Sequence, residues 1–306
     1  MIFEGDHSVI KAIIEKKRLM DAGKPHDHIR PLMIQGGGLM QGVYGAGAAL
    51  ALTELGYTDV FTSLVGISSG APTVAYFAAG NVEDGIEVLK NDCGDKRFMN
   101  PWRFWNQVDT QHFIDILRSD EEKKINVDQL FQHPAKIYFG VSRYETAKPE
   151  LIHPNNEEEL FMGMHASINM RNVSKHKIVI DGVHYADGGF TKPHIIGHAV
   201  KEVDATHVLV ITNNTRHYNP ITNMERVLNR TIIRMRLNGA IAQAIRARLK
   251  ERDKAVAEAM ESPKPVAAVW GNGAISSVET RPEKIGATIE ASRTWWHGLL
   301  GLEELK

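Results

Sequence analysis

"SLVGISSGAP", residues 63 to 72, decides how the rest of the chain is read. The apolar pair Leu64 and Val65 leads into Gly66, Ser68 follows two residues later, and Gly70 two residues after that. Beyond them "APTVAYFAAG" (71–80) is small and apolar enough for a helix that Gly80 closes. The order strand, sharp turn, helix gives the pentapeptide G-x-S-x-G a physical use. The turn holds the central serine in a strained conformation and lifts its hydroxyl above the sheet edge. Glycines on either side keep side chains away from the neighbouring strand and helix. The pentapeptide arises by chance in roughly one chain in ten of this length, so the setting carries the reading. Ser68 is the candidate nucleophile, and Ser69, off centre between the glycines, is the weaker one.

On the amino-terminal side, "PLMIQ" (31–35) reads as a buried strand running into Gly36, Gly37 and Gly38. "VYGAGAALALTELG" (43–56) has helical spacing with Gly56 as its stop, and "VFTSLVG" (60–66) is the next strand. Strand–helix–strand–helix order predicts an α/β fold with a mainly parallel sheet and right-handed crossovers. Downstream, "AKIYFGVS" (135–142), "THVLVITNN" (206–214) and "PVAAVWG" (265–271) are expected strands, and "NNEEELFMGMHAS" (155–167) opens with acids as a first helical turn prefers. "KIVIDGVHYADGG" (177–189) alternates around Asp181-Gly182, a strong hairpin signal. Residues 8–22 have helical spacing, the pattern loosens over 92–133, and a long helical stretch is expected over 222–260. With no internal repeat, residues 1–306 are read as one domain. Its core motifs lie at about 30–215, with the helical and carboxyl-terminal segments (216–306) packed on them.

The bulk numbers exclude more than they assign. Hydrophobic residues make up 43% of the 306 residues and charged ones 24%, ordinary values for a globular chain. A net charge of −1 gives no global field to recruit nucleic acid. Cys93 is the only cysteine, which rules out an intrachain disulfide and a multi-cysteine zinc site. No metal or cofactor is expected. The charged start "MIFEGDHSVIKAIIEKKRLM" does not read as a signal peptide, and nowhere do ~18 apolar residues run together. The expectation is a cytoplasmic protein whose contact with a membrane, if made, is peripheral.

"QGGGLMQGVYGAG" (35–47) does not match a dinucleotide fingerprint, because the gap from Gly38 to Gly42 is one residue too long. A Walker loop is excluded by the lack of Gly-Lys-Ser/Thr. Two readings remain, a tight strand-to-helix turn or an oxyanion hole in which bare backbone N–H groups face developing negative charge. In a parallel sheet this loop and the Ser68 turn reach the same carboxyl edge. Gly36, Gly37, Gly38 and Leu39 are the candidate donors.

A histidine base is the conventional partner for such a serine. His194, His198, His207, His217 and His297 are available late in the chain, and none has a distinctive setting. "YADGGFTKPH" (185–194) is more pointed: Asp187 ends a hairpin strand and is followed by Gly188 and Gly189, although a plain turn aspartate fits the tripeptide too.

"QGGGLMQGVYGAGAALALTELG", "VGISSGAPTVAYFAAG" and "YADGGFTKPH", in that order, resemble the patatin-like phospholipase family over residues 30–215. "VETRPEKIGAT" (278–288) is similar to a segment near that family's end. The resemblance implies a three-layer α/β/α fold and a Ser68–Asp187 dyad without histidine. It implies an oxyanion hole on the glycine loop and hydrolysis of lipid acyl esters without a cofactor. It departs at one place: the family loop Gly-Gly-Gly-x-Arg-Gly reads "GGGLMQG" here and lacks the arginine. The altered loop favours a rival reading, a catalytically weak member that binds lipid or a protein partner; a conventional α/β-hydrolase with a late histidine is another.

Three further stretches bear on lipid access. "RFMNPWRFWNQ" (97–107) reads as a lid, an interfacial patch or an irregular segment packed on the sheet. "RTIIRMRLNGAIAQAIRARLK" (230–250) is basic and amphipathic, suited to an anionic surface or to packing on the domain. "TWWHGLLGLEELK" (294–306) reads as an interfacial tail or one docked on the core.

Overall fold

Short, mostly apolar runs build the centre of the sheet, because a strand covered on both faces has little need of a polar side. The computed structural model describes residues 1–100, 102–103, 105–171, 173–216, 239–251 and 254–304. Its strands are β1 (Ile2–Gly5), β2 (Pro31–Gln35), β3 (Ser63–Ile67), β4 (Lys136–Arg143), β5 (Pro149–Ile152), β6 (Ile178–Ile180), β7 (Val183–Asp187), β8 (His207–Ile211) and β9 (Val266–Trp270). Along the sheet they run β1-β9-β8-β2-β3-β4-β7-β6, with β5 also paired to β4. The run β9-β8-β2-β3-β4 is parallel throughout; β1, β5 and β7 join it antiparallel, and β6 pairs antiparallel with β7.

Alternation along the strands divides the core in two. Met33, Leu64, Leu209 and Val269 face α1 (Ser8–Asp21), α2 (Val43–Glu54), α3 (Gly70–Ala78) and α7 (Glu157–Ile168). Leu32, Ile34, Val65 and Val210 face the other way, onto α8 (Ile195–Glu202) and α10 (Lys254–Met260). Helices therefore cover both faces of a mainly parallel sheet, the expected α/β arrangement. Two pieces of 92–133, where the sequence pattern loosens, are helical, α5 (Thr110–Ser119) and α6 (Val127–Gln132), and α4 (Val82–Glu87) precedes them. α9 (Gly239–Glu251) lies between β8 and α10 in the chain, and α11 (Pro282–Glu304) follows β9.

α11 packs along α2. The Ser292 hydroxyl donates to the Tyr44 carbonyl at 2.8 Å, and Trp296 is fully buried. Trp296 is thus a core residue, which answers the docked-tail reading of that segment. The expected strand at 60–66 begins only at Ser63, because Thr58–Val60 forms a 3-10 turn. The hairpin turn is as expected: Asp181 and Gly182 both take positive φ, 49° and 77°. Of the helical stretch expected over 222–260, the part before Gly239 and Arg230, Arg234 and Arg236 lie outside the described residues, as do the side chains of Arg246 and Arg248. No described helix is long and apolar enough to cross a membrane.

Candidate active site

The parallel strands β2, β3 and β8 deliver their following loops to one edge of the sheet. Ser68 stands at the end of β3 with φ +54°, a left-handed conformation rare for a residue with a side chain. The sharp turn leaves no room on either side. A Cβ on Gly66 would lie 2.5 Å from the Cα of Ala71, and one on Gly70 would lie 2.1 Å from the Gln35 carbonyl oxygen. One hydroxyl secures the turn: the Ser68 backbone N–H donates to Ser167 Oγ at 3.0 Å, and Ser167 Oγ donates to the Gly140 carbonyl at 2.8 Å.

Asp187 arrives by a different route. In the ladder Ile67 pairs with Gly140, and the next β4 residue, Val141, pairs with Asp187 on antiparallel β7. This register sets the carboxylate one step beyond the end of β3, beside Ser68. The Ser68 hydroxyl donates to Asp187 Oδ2 at 2.6 Å, and the Gly189 N–H donates to Oδ1 at 2.7 Å. Ser142 Oγ donates to the Asp187 carbonyl at 2.8 Å, and the Asp187 N–H donates to Asn169 O at 3.0 Å. Asp187 is fully buried and Ser68 nearly so. Gly188 lets the strand end approach β4, since a Cβ there would sit 2.1 Å from the Gly140 carbonyl oxygen.

The glycine loop passes directly over the serine: a Cβ on Gly37 would lie 2.6 Å from that of Ser68. The four candidate donors are not equivalent. The Gly36 N–H donates to Ile211 O at 2.8 Å, extending the β2–β8 ladder, and is thereby removed from the set. The N–H groups of Gly37, Gly38 and Leu39 have no acceptor among the described residues. Leu39 itself takes φ +53°, the second strained non-glycine of the site. The loop hangs from the end of β8. Asn213 Nδ2 donates to Gly36 O at 2.6 Å, its Oδ1 accepts the Gly45 N–H at 2.8 Å, and Asn214 Nδ2 donates to Gly37 O at 3.2 Å.

Beside Ser68 opens an apolar cavity of about 760 Å³, its solvent-open mouth included, walled by Leu39, Met40, Val82, Leu89, Phe98 and Phe113 among others. The glycine loop thus sets apolar Leu39 and Met40 against the cavity. Cys93 is another wall residue, and burial pushes its thiol far up, so it remains neutral. Near Thr110, also on the wall, His165 Nε2 lies 2.9 Å from the threonine hydroxyl. Burial brings that imidazole down to about 4.

No described histidine hydrogen-bonds to Ser68. Of the late ones, His297 bonds Glu54 at 2.7 Å, His207 bonds Thr206 at 2.9 Å, and His217 lies outside the described residues. His194 lines a second cavity behind Gly37. Among the described residues no three His, Cys, Asp or Glu side chains converge as a metal site would require.

Ser142, Ser167, Asn169, Asn213 and Asn214, which hold these groups in place, escaped the sequence reading. The asparagine pair had one available signal, its place just past the carboxyl end of a parallel strand.

The family model described as patatin-like phospholipase matches residues 32–200, more than half of the chain. No curated protein sequence matches it. Among solved structures, VipD from Legionella pneumophila is similar, with a TM-score of 0.54 at 11% identity, covering 90% of this chain and 67% of its own. That likeness is one of fold. ExoU of Pseudomonas aeruginosa, solved in complex with SpcU, is 13% identical over 76% of this chain and 53% of its own. Its TM-score of 0.31 is too low to carry an argument.

Proposed function

Because this chain belongs to the patatin-like phospholipase family, we propose that it hydrolyses lipid acyl esters, with Ser68 as nucleophile and Asp187 as base. The observation that carries this reading is the 2.6 Å hydrogen bond from Ser68 Oγ to Asp187 Oδ2, between residues 119 positions apart. A carboxylate is a weak base for a hydroxyl, so position must compensate. The Gly189 N–H fixes the second carboxylate oxygen and leaves Oδ2 turned to the serine.

The reaction runs in two halves. Ser68 Oγ attacks the ester carbonyl carbon as its proton passes to Asp187. The carbonyl oxygen takes the negative charge among the N–H groups of Gly37, Gly38 and Leu39, each such donor being worth about 3 kcal/mol in sites of this kind. The intermediate collapses by breaking the bond to the alcohol oxygen, which leaves with the proton from Asp187, and Ser68 remains acylated. Water, losing its proton to Asp187, then attacks the acyl-serine; the bond from the carbonyl carbon to Ser68 Oγ breaks, Asp187 returns the proton to Oγ, and the fatty acid is released. The apolar cavity beside Ser68 suits the acyl chain.

Fatty-acid release from emulsified acyl esters tests this assignment. Asp187→Asn abolishes turnover, whereas Gln at His198, His207 or His297 leaves it of the same order. Loss of turnover with one of those histidines, and its survival in Asp187→Asn, would return the assignment to a histidine base.

A further inference from the structure

Phe98 and Val108 lie close together at the root of a loop and line the cavity that holds Ser68. Met99 bridges Val108, the Asp109 N–H donates to Phe98 O at 2.8 Å, and the Asn100 N–H donates to Gln107 O at 2.8 Å. The loop is pinned at its turns as well. The Trp102 N–H donates to Asn100 Oδ1 at 3.0 Å, Arg103 Nη2 donates to Arg97 O at 2.7 Å, and the Lys175 N–H donates to Asn106 Oδ1 at 3.2 Å. Well tied as it is, the loop turns its two largest side chains outward: Trp102 is 82% exposed and Trp105 64%. Trp102 is by a wide margin the most exposed large hydrophobic residue described.

A tryptophan left in water forgoes the transfer free energy of its ring, which grows with its exposed apolar surface. Two such rings held on hydrogen-bonded backbone call for something to cover them. Two side chains of about 150–250 Å² each fall well short of the about 800 Å² per partner that a specific protein interface buries. They do suit a headgroup boundary, where an indole buries its ring and keeps its N–H wet. Lys96 and Arg97, both exposed, immediately precede the loop, with Arg97 paired to Asp95.

We infer that the loop 98–109 docks the protein on a lipid surface through Trp102 and Trp105, bringing the cavity mouth next to the bilayer so that an acyl chain enters without crossing water. The purpose of such docking rests on the proposed lipid hydrolysis; the docking does not, and it is measured without turnover. Ser68→Ala protein is floated with phosphatidylcholine vesicles, alone and with Trp102→Ala/Trp105→Ala added. Thermal unfolding and, in the Ser68 background, turnover of a water-soluble short-chain ester show that the double variant is folded and its site intact. The Ser68→Ala protein floats with the vesicles. The double alanine variant loses vesicle affinity by roughly tenfold or more, and Trp102→Phe/Trp105→Phe keeps most of it. A parent that does not float with the vesicles overturns the inference, and so does an alanine variant that floats equally well. Either result leaves the hydrolase assignment standing.

Discussion

Ser167 lies beneath Ser68 and passes its turn on to the sheet, accepting the Ser68 N–H at 3.0 Å and donating to the Gly140 carbonyl at 2.8 Å. A residue with φ +54° persists only where its surroundings over-determine it, and this hydroxyl is one of the determinants. Ser167→Ala takes from the buried Ser68 N–H its hydroxyl acceptor, at about 1–3 kcal/mol. The expected outcome is a lower unfolding midpoint and a fall in kcat with little change in KM, because Ser167 would position the proposed nucleophile without touching substrate. Calorimetry and steady-state kinetics on a soluble ester read the two effects separately.

Gly37 offers a steric test of the loop. A methyl group there would sit 2.6 Å from the Ser68 Cβ and 3.2 Å from its Oγ, so Gly37→Ala displaces the serine or the donors above it. Misplacement of that size costs on the order of 10²-fold in turnover. Gly197→Ala is the control, since its nearest neighbour would be Glu258 at 3.8 Å. Turnover falls in the first variant and holds in the second, and circular dichroism shows both folded.

His165 predicts how stability depends on pH. Burial lowers its imidazole from 6.5 to about 4, so between these values the unfolded chain binds a proton that the folded chain refuses. Stability is then lost as pH falls through that window and is unaffected by this group above it, by a few kcal/mol at most on the scale of 1.36 kcal/mol per unit. Denaturant unfolding between pH 7 and pH 4 measures the slope, and His165→Gln flattens it relative to wild type.

Much of this architecture was legible because buried parallel strands carry a one-dimensional signal. Pro31–Gln35 and His207–Ile211 are apolar almost throughout, and no helix of that length would be. Ile2–Gly5 carried no such signal: it is an edge strand of four residues whose partner is Ala267–Trp270, at the far end of the chain. Pro149–Ile152 is as short and mixes a proline and a glutamate into its four residues. Thr110–Ser119 looked irregular because polar residues cover its outer face, although Asp109 caps it by accepting the His112 N–H. The same contrast holds at the site. Ser68 and Asp187 stood out through the glycines that close packing demands around them. Ser142, Ser167 and Asn213 did not, for a lone serine or asparagine has no spacing to read until the fold brings it to its partner. Gly36 is the converse case, a glycine that fitted the oxyanion pattern and whose N–H is bonded to Ile211.

The central claim is that Ser68 is a nucleophile activated by Asp187. Its most direct test is labelling of the purified protein by a fluorescent fluorophosphonate, with Ser68→Ala and Asp187→Asn in parallel. The account predicts that wild type is labelled, that Ser68→Ala is not, and that Asp187→Asn is labelled far more slowly. A folded wild type that resists the probe with and without liposomes, or an Asp187→Asn variant labelled at the wild-type rate, contradicts it.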